Sequence, residues 1–455
     1  MLEEKIVASA VDRLAERVRG GVIRPADDGY DAARQLTLPG RDPRPLAIVR
    51  PLDTDDVAAA VAVLVGEGVP FAVRGGGHHP AGWSGGDGKV VLDMRAMDGI
   101  ELDVPGRVAT AQGGATTGAY TKAAGEHGLA TGFGDTPTVG VAGLTIGGGL
   151  GFLSRAHGLT VDNLLGAEVV TADGRAVWTD AEAHPDLFWA LRGGGGGLGV
   201  ITRLRFALRD VPSVYGGMLV LPASPEVLHG VVAAALEAPD ELTVIVQTML
   251  APPLPFFPPE LHGKALVFVQ GAYLGDEEAG REAFAPLRAL ARPLADQVQA
   301  RPYPSLFEEP EGAPPLRLRF ATTFRDSWDL ATAERVLALV TAPAAGLRAV
   351  QLRPLGGAIA RVPDDETAYP HRRRRLLVGT VAGGPPTLDQ APALAWIAEA
   401  RAALREGDVA FFSFLDAGGA TPRDAFPGVW DRLQAVRRAY DPEGVFGAHL
   451  AATLD

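Results

Sequence analysis

Apolar residues recur at helical spacing from the start of the chain. Leu2, Ile6, Val7, Val11, Leu14 and Val18 share one face of a 3.6-residue repeat, which predicts an opening amphipathic helix. Ile48-Val49-Arg50-Pro51 reads as a short strand ended by proline, and Asp53 or Thr54 can cap a helix over 55–65, closed by Gly66 and Gly68. Val69–Val73 and Lys89–Asp93 are further strands. The order strand, helix, strand, turn, strand is that of an α/β or α+β unit. Arg107–Gln112 predicts a strand and Thr116–His127 a helix, while Ala167–Thr171 and Ala176–Thr179 form a hairpin around Ala172-Asp173-Gly174-Arg175. A helix over Pro185–Leu191 and a strand over Gly199–Phe206 close this region.

After Val211 the pattern changes. Long β-rich stretches (Tyr215–Leu221, Leu242–Leu250, Ala265–Tyr273, Leu316–Thr323, Ala349–Leu355) alternate with alanine-rich helical ones. That alternation predicts a second domain, an antiparallel sheet with helices on one face. Pro252, Pro253, Pro255, Pro258 and Pro259 mark a rigid loop around Phe256 and Phe257.

Composition narrows the class. Among 455 residues, 47% are apolar and 21% charged, as expected of a globular enzyme. The 57 glycines exceed the roughly 32 that about 7% usage would give, and they cluster, which favours ligand-cradling turns. A formal charge of −13 argues against nucleic acid and anionic membranes as partners. Arg372–Arg375 is the one basic run, read as a solvated loop leading into a strand. With no cysteine, disulfides, thiolate metal sites and cysteine nucleophiles are excluded. The acidic start, Met1-Leu2-Glu3-Glu4-Lys5, does not resemble a signal peptide, and no long apolar run suggests a membrane span, so a cytoplasmic protein is expected.

The chemistry concentrates in three glycine segments: Arg74-Gly75-Gly76-Gly77-His78 after a strand, Gly140–Gly151, and Gly193–Gly197. Glycine turns tolerate positive φ and expose amides that can close around an anion. Three such turns within 130 residues suit an extended, phosphate-bearing ligand, and His78 sits where the chain leaves the first cradle. Gly147–Gly151 lacks the strand–turn–helix setting of a nicotinamide Rossmann site, and no Gly-Lys-Ser or Gly-Lys-Thr follows any glycine run. Adjacent His78 and His79 would diverge, so no metal site is expected.

Together these segments resemble the berberine bridge enzyme-like FAD-linked oxidases of the p-cresol methylhydroxylase/vanillyl-alcohol oxidase superfamily. The resemblance runs from the 74–78 turn with Ala81-Gly82 and Asp87-Gly88, through Gly134–Gly151, Ser154-Arg155, Gly158-Leu159-Thr160, Asp162-Asn163 and Leu191–Gly196. It resumes at Leu352–Ala358, Arg361-Val362-Pro363 and Pro370-His371-Arg372, and ends at Tyr440–Glu443. It implies an α+β protein with a PCMH-type FAD-binding domain over 1–210, an antiparallel substrate domain over 211–420, and a return to the flavin region over 421–455. It implies FAD contacts from Arg74, Gly75, Gly76, Gly77, His78, His79, Gly82, Thr136, Pro137, Val139, Gly140, Gly143, Gly147, Gly148, Gly151, Asn163, Gly199, Val200 and His449. It also implies that FAD is bonded through its 8α-methyl to His78, with His79 the variable following residue. Many relatives add a second link from a cysteine; here that position is Thr136, which cannot form one. The C-terminal asparagines of the family are absent, and His449 is the candidate replacement.

The activity so implied is hydride transfer from a substrate C–H, in an alcohol, sugar or secondary metabolite, to FAD, with O2 as oxidant and H2O2 as product. A dehydrogenase using another acceptor, or a non-catalytic flavin or ligand-binding protein, remain alternatives. The bases of plant relatives fall at Val378 and Phe414, so a proton acceptor must come from elsewhere. Tyr369 and His371 are the candidates for catalysis, and Gln351 and Arg353, which can only bind or polarise, for the substrate. A monomer or homodimer is expected.

Overall fold

In the computed structural model, residues 2–38, 41–251, 258–307, 315–343, 345–416 and 420–447 are described. The opening repeat folds as the helix Leu2–Arg17, with Ala10, Val11 and Leu14 buried. The Thr54–Gly66 helix begins where the Asp53 carboxylate accepts from the Asp56 N–H, an N-cap. Its apolar face, Val57, Ala60, Val61 and Leu64, packs with Ala47, Val49, Val90 and Leu92 of a four-stranded sheet. That sheet runs Gly21–Ile23, Ala47–Arg50, Val90–Asp93, Phe71–Arg74, the first pair antiparallel and the others parallel. The Thr54–Gly66 helix crosses from Ala47–Arg50 to Phe71–Arg74, leaving the place between them to Val90–Asp93. Phe71–Arg74 therefore delivers the 75–77 glycines at the end of a buried strand.

A second, antiparallel sheet orders Ile100–Asp103, Val108–Gln112, Val200–Ala207, Leu164–Val170 and Ala176–Thr179. Its core includes Tyr120, Phe133 and Phe206, and Leu187–Leu191 from the Pro185–Leu191 helix. Ala410, Phe412 and Leu415 already belong to this core, ahead of the return expected at 421.

The third sheet has eight strands and is antiparallel, with Val214–Pro222, Ala265–Tyr273, Leu242–Leu250, Leu347–Pro354, Leu376–Gly384 and Arg317–Arg325 in that spatial order. The helices Pro225–Leu236, Glu277–Arg288, Leu330–Thr341 and Ala391–Leu404 cover one face, as expected. Period-two alternation decides what the other face carries. Val350 and Leu352 enter the helix-side core, so Gln351 and Arg353 stand on the opposite face. Ala321 likewise faces the helices, which turns Phe320 away from them.

One sequence expectation changes and another goes untested. Arg372 is not solvated: it is fully buried, with its two terminal nitrogens on the Asp162 carboxylate at 2.7 Å each and Nη2 on the Thr367 hydroxyl at 2.6 Å. Only Arg373–Arg375 behave as surface residues, with Arg374 and Arg375 paired to Asp326 and Glu237. Of the proline-rich loop, Pro258 leads into the 3-10 turn Pro259–Leu261, while Pro252, Pro253, Pro255, Phe256 and Phe257 lie outside the described residues. No helix among the described residues is long and apolar enough to cross a membrane.

Candidate functional site

An interior cavity of about 500 Å³ lies where the three sheets meet. Its wall comes from the 71–84 strand and turn, the 135–150 glycine segment, Gly196, Gly197, Gly199 and Ile201, Phe320 and Arg353 of the large sheet, and 411–414. A depression of about 560 Å³ lies elsewhere, around Asp27, Asp28, Asp31 and Arg44. It carries three aspartates against one arginine, which suits a phosphate-bearing ligand poorly, so the site is the interior cavity.

The glycine segments build the wall by close backbone packing. A Cβ on Gly76 would sit 2.2 Å from the Gly140 nitrogen, and one on Gly140 would sit 2.4 Å from the Gly76 nitrogen. Neither residue can carry a side chain without separating the two turns. Gly77 adds a left-handed φ of 70°, and a Cβ on Gly143 would meet nothing within 4 Å. Thr136, Val139, Gly140, Gly143 and Gly199 join Gly75–His79 in the wall.

The two histidines are in different states. The His78 ring is hydrogen-bonded to the Thr138 carbonyl, while its Nε2 is buried without a partner in the protein. Burial pulls its pKa down to about 4, so the ring is neutral. A buried, unpartnered ring nitrogen in a cavity wall is the fit expected for a group that bonds there. His79 has both nitrogens engaged. Nδ1 accepts from the Ala81 N–H at 3.2 Å, and Nε2 meets the Phe412 carbonyl at 3.1 Å. Its ring stacks on Trp83 with centroids 4.0 Å apart. His79 thus fastens the first turn to the returning chain.

Other expected cofactor residues lie behind the wall. The Arg74 guanidinium is buried on the carbonyls of Ala33 and Ser84, with its pKa pushed down to about 10 by burial, and holds the turn from beneath. Gly82 packs against Arg41, Gly147 against Ser413, Gly148 against the Tyr369 ring and Gly151 against the Phe133 carbonyl. The Pro137 carbonyl accepts from the Gly118 N–H. Asn163 donates to the carbonyls of His157 and Leu159, and Val200 is core. These eight residues shape the site without lining it. His449 lies outside the described residues.

Tyr369 and His371 do not reach the cavity wall. Tyr369 is 1% exposed and packs with Leu159, Phe324 and Phe411; burial pushes its hydroxyl pKa up. His371, 2% exposed, stacks on Phe324 at 4.0 Å with Nε2 on the Ala425 carbonyl, and burial pulls its pKa down to about 3. Both are sealed by packing, which no strand pattern announces. The same burial has a thermodynamic consequence. The unfolded chain takes up a proton near the ordinary histidine pKa of about 6.5 while the folded chain refuses it, so stability is complete above that pH and lost as pH falls towards about 3. Its slope approaches about 1.4 kcal/mol per pH unit. His371→Gln, which keeps a donor for Ala425, should flatten the fall in urea midpoint between pH 6.5 and 4.5; unchanged slopes would refute the assignment.

Among the substrate candidates, Arg353 lines the cavity and Gln351 supports it, accepting from Arg353 Nε at 2.8 Å. Arg353 Nη2 donates to Asp135 at 2.5 Å, and its guanidinium lies 5.9 Å from the Phe414 ring centroid. Sequence reasoning missed Asp135, Phe320, Phe411, Phe412 and Ser413, all in the wall. Phe414 does line it, whereas Val378, the other position compared with plant bases, faces the helix-side core.

Known proteins resemble this chain over most of its length. Residues 45–180 match the family model of an FAD binding domain. The chain is 31% identical to (R)-6-hydroxynicotine oxidase of Paenarthrobacter nicotinovorans, over 94% of this chain and 95% of that protein. The solved 6-hydroxy-D-nicotine oxidase from Arthrobacter nicotinovorans superposes with a TM-score of 0.84 at 28% identity, covering 96% of this chain and 98% of that one. A glucooligosaccharide oxidase from Acremonium strictum, carrying 6-S-cysteinyl, 8α-histidyl FAD, has the same fold, with a TM-score of 0.85, 24% identity and 97% and 98% coverage. The chain belongs to the berberine bridge enzyme-like FAD-linked oxidoreductases of the p-cresol methylhydroxylase/vanillyl-alcohol oxidase superfamily.

Proposed function

We propose that this oxidoreductase is an oxidase that holds FAD by one covalent bond, from His78, and oxidises a small molecule at a C–H beside an O–H or N–H. The observation that carries the reading is the buried, unpartnered Nε2 of His78 in the cavity wall. The Thr138 carbonyl beside the ring is its backbone hydrogen-bond acceptor, while Nε2 has no protein partner. Burial keeps the ring unprotonated, as a nucleophilic nitrogen must be. Bound FAD supplies a hydride acceptor and, through reoxidation by O2, hydrogen peroxide. The glycine turns at 75–77 and 140–143 hold its body, and the phenylalanines at 320, 411 and 414 exclude water from the reacting region. The reading assigns 1–210 and the C-terminal return to the flavin and the large sheet to the substrate. A single bond follows because the chain has no cysteine and Thr136 cannot form a thioether.

The test is denaturation in trichloroacetic acid followed by a digest. The yellow colour should stay with the polypeptide, on the peptide containing His78 and not on 134–140. His79→Ala should keep the bond. Complete release of flavin into the supernatant would sink the covalent claim. Peroxide production in air, screened against alcohols, sugars and phenols, tests the oxidase claim; flavin reduced by a substrate yet indifferent to O2 would make the protein a dehydrogenase.

A further inference from the structure

The flavin reading leaves the proton of the oxidised O–H or N–H without a destination, since Tyr369 and His371 are sealed away. Asp135 is the one carboxylate among the described residues lining the cavity; the other titratable or charged groups there are His78, His79, Lys89 and Arg353. It stands next to Thr136 in the glycine-rich segment, with its side chain 22% exposed against 7% for Arg353. The Asp135 side chain is therefore the more accessible of the pair.

Its surroundings hold it in place. One oxygen accepts from Arg353 at 2.5 Å and the other from the Thr136 hydroxyl at 3.2 Å. Arg353 is fixed in turn by Gln351 at 2.8 Å and by the Leu150 carbonyl at 3.5 Å. A carboxylate offers about four acceptor positions and these contacts use two. Around the pair stand aromatic rings: Phe414 lies 5.8 Å from Phe411 and 6.0 Å from Phe320.

We propose that Asp135 is the catalytic residue that accepts the substrate's O–H or N–H and takes its proton, with Arg353 as its positioning residue. In that step the substrate O–H bond breaks, its proton goes to an Asp135 oxygen, and its electron pair forms the C=O. The C–H hydrogen leaves with two electrons to the flavin supplied by the reading above, on which this inference rests, and the Asp135 proton passes later to solvent. Because the guanidinium is already neutralised, the site takes an uncharged or cationic alcohol or amine with an apolar or aromatic body. It rejects carboxylates.

Two measurements on the flavin-loaded protein test this. The first needs no turnover. Benzoate, an aromatic anion, should bind Asp135→Asn at least about tenfold more tightly than wild type by calorimetry, because the variant frees Arg353 to pair with it. The second is anaerobic flavin reduction by 6-hydroxynicotine, an amine with an aromatic body, which in Asp135→Asn should slow by about 10²–10⁴-fold at unchanged flavin content. Asp135→Ala, which empties the position rather than refilling it, must show the same two shifts. Unchanged benzoate affinity, or reduction within about threefold of wild type, would overturn the inference. Flavin content and acid stability are scored separately, so failure of the covalent reading stays distinguishable from either result.

Discussion

His78→Ala should lose all acid-stable flavin and retain FAD only reversibly, with slower turnover. The glycine turns that pack against one another, Gly76 on Gly140, do not depend on the imidazole, so the cradle survives the substitution. What disappears is the bond and its electronic effect: an imidazole on the 8α carbon withdraws electrons and makes hydride acceptance easier. A change of about 1.4 kcal/mol in that barrier would slow reduction about tenfold. The measurement is anaerobic reduction of the variant reconstituted with excess FAD, beside dialysis to show that the cofactor now leaves. Acid-stable flavin persisting in His78→Ala would move the attachment elsewhere in the chain. His79 is a poor substitute, because its two nitrogens are held by Ala81 and Phe412.

Arg372→Met should cost about 3–5 kcal/mol of stability, whereas Arg373→Met, one residue on, should cost under about 0.5 kcal/mol. Arg372 is fully buried and bidentate on Asp162, which also caps its own turn by accepting from the Leu159 N–H at 2.7 Å. Removing the guanidinium leaves that carboxylate buried without its counter-charge, the expensive way to break a buried pair. Arg373 meets Asp364 at 3.4 Å with both side chains about two-thirds exposed, where solvent screening leaves little to lose. Denaturant unfolding of the two variants gives the comparison. Equal losses would show that the four arginines act alike, as their sequence suggests.

That contrast marks the limit of pattern reading. Arg372–Arg375 is uniform in sequence, yet one member is core and the others are surface. Asp135 and Arg353 are 218 positions apart, and nothing local in either segment announces the partner. Tyr369 and His371 carry the right chemistry in the right motif, but Phe324, Phe411 and the 410–425 return close over them. Most of the strands and helices the pattern announces fall within a residue or two of their bounds, although Leu164–Val170 begins three residues before the expected start and Gly21–Ile23 and Ile100–Asp103 were not anticipated. Leu242–Leu250, Ala265–Tyr273 and Pro185–Leu191 fall on the bounds their apolar patterns predict.

What the sequence by itself determined is local: the elements, because side-chain periodicity and capping act over a few residues, and the glycine turns, because only glycine permits their φ and backbone approach. It also carried the family, through an ordered set of motifs spanning the chain. The tertiary structure alone decided which motif residues face the cavity and which support it from behind, and which carboxylate meets Arg353. Burial and long-range pairing depend on how the three sheets converge, and that is a property of the whole packed chain.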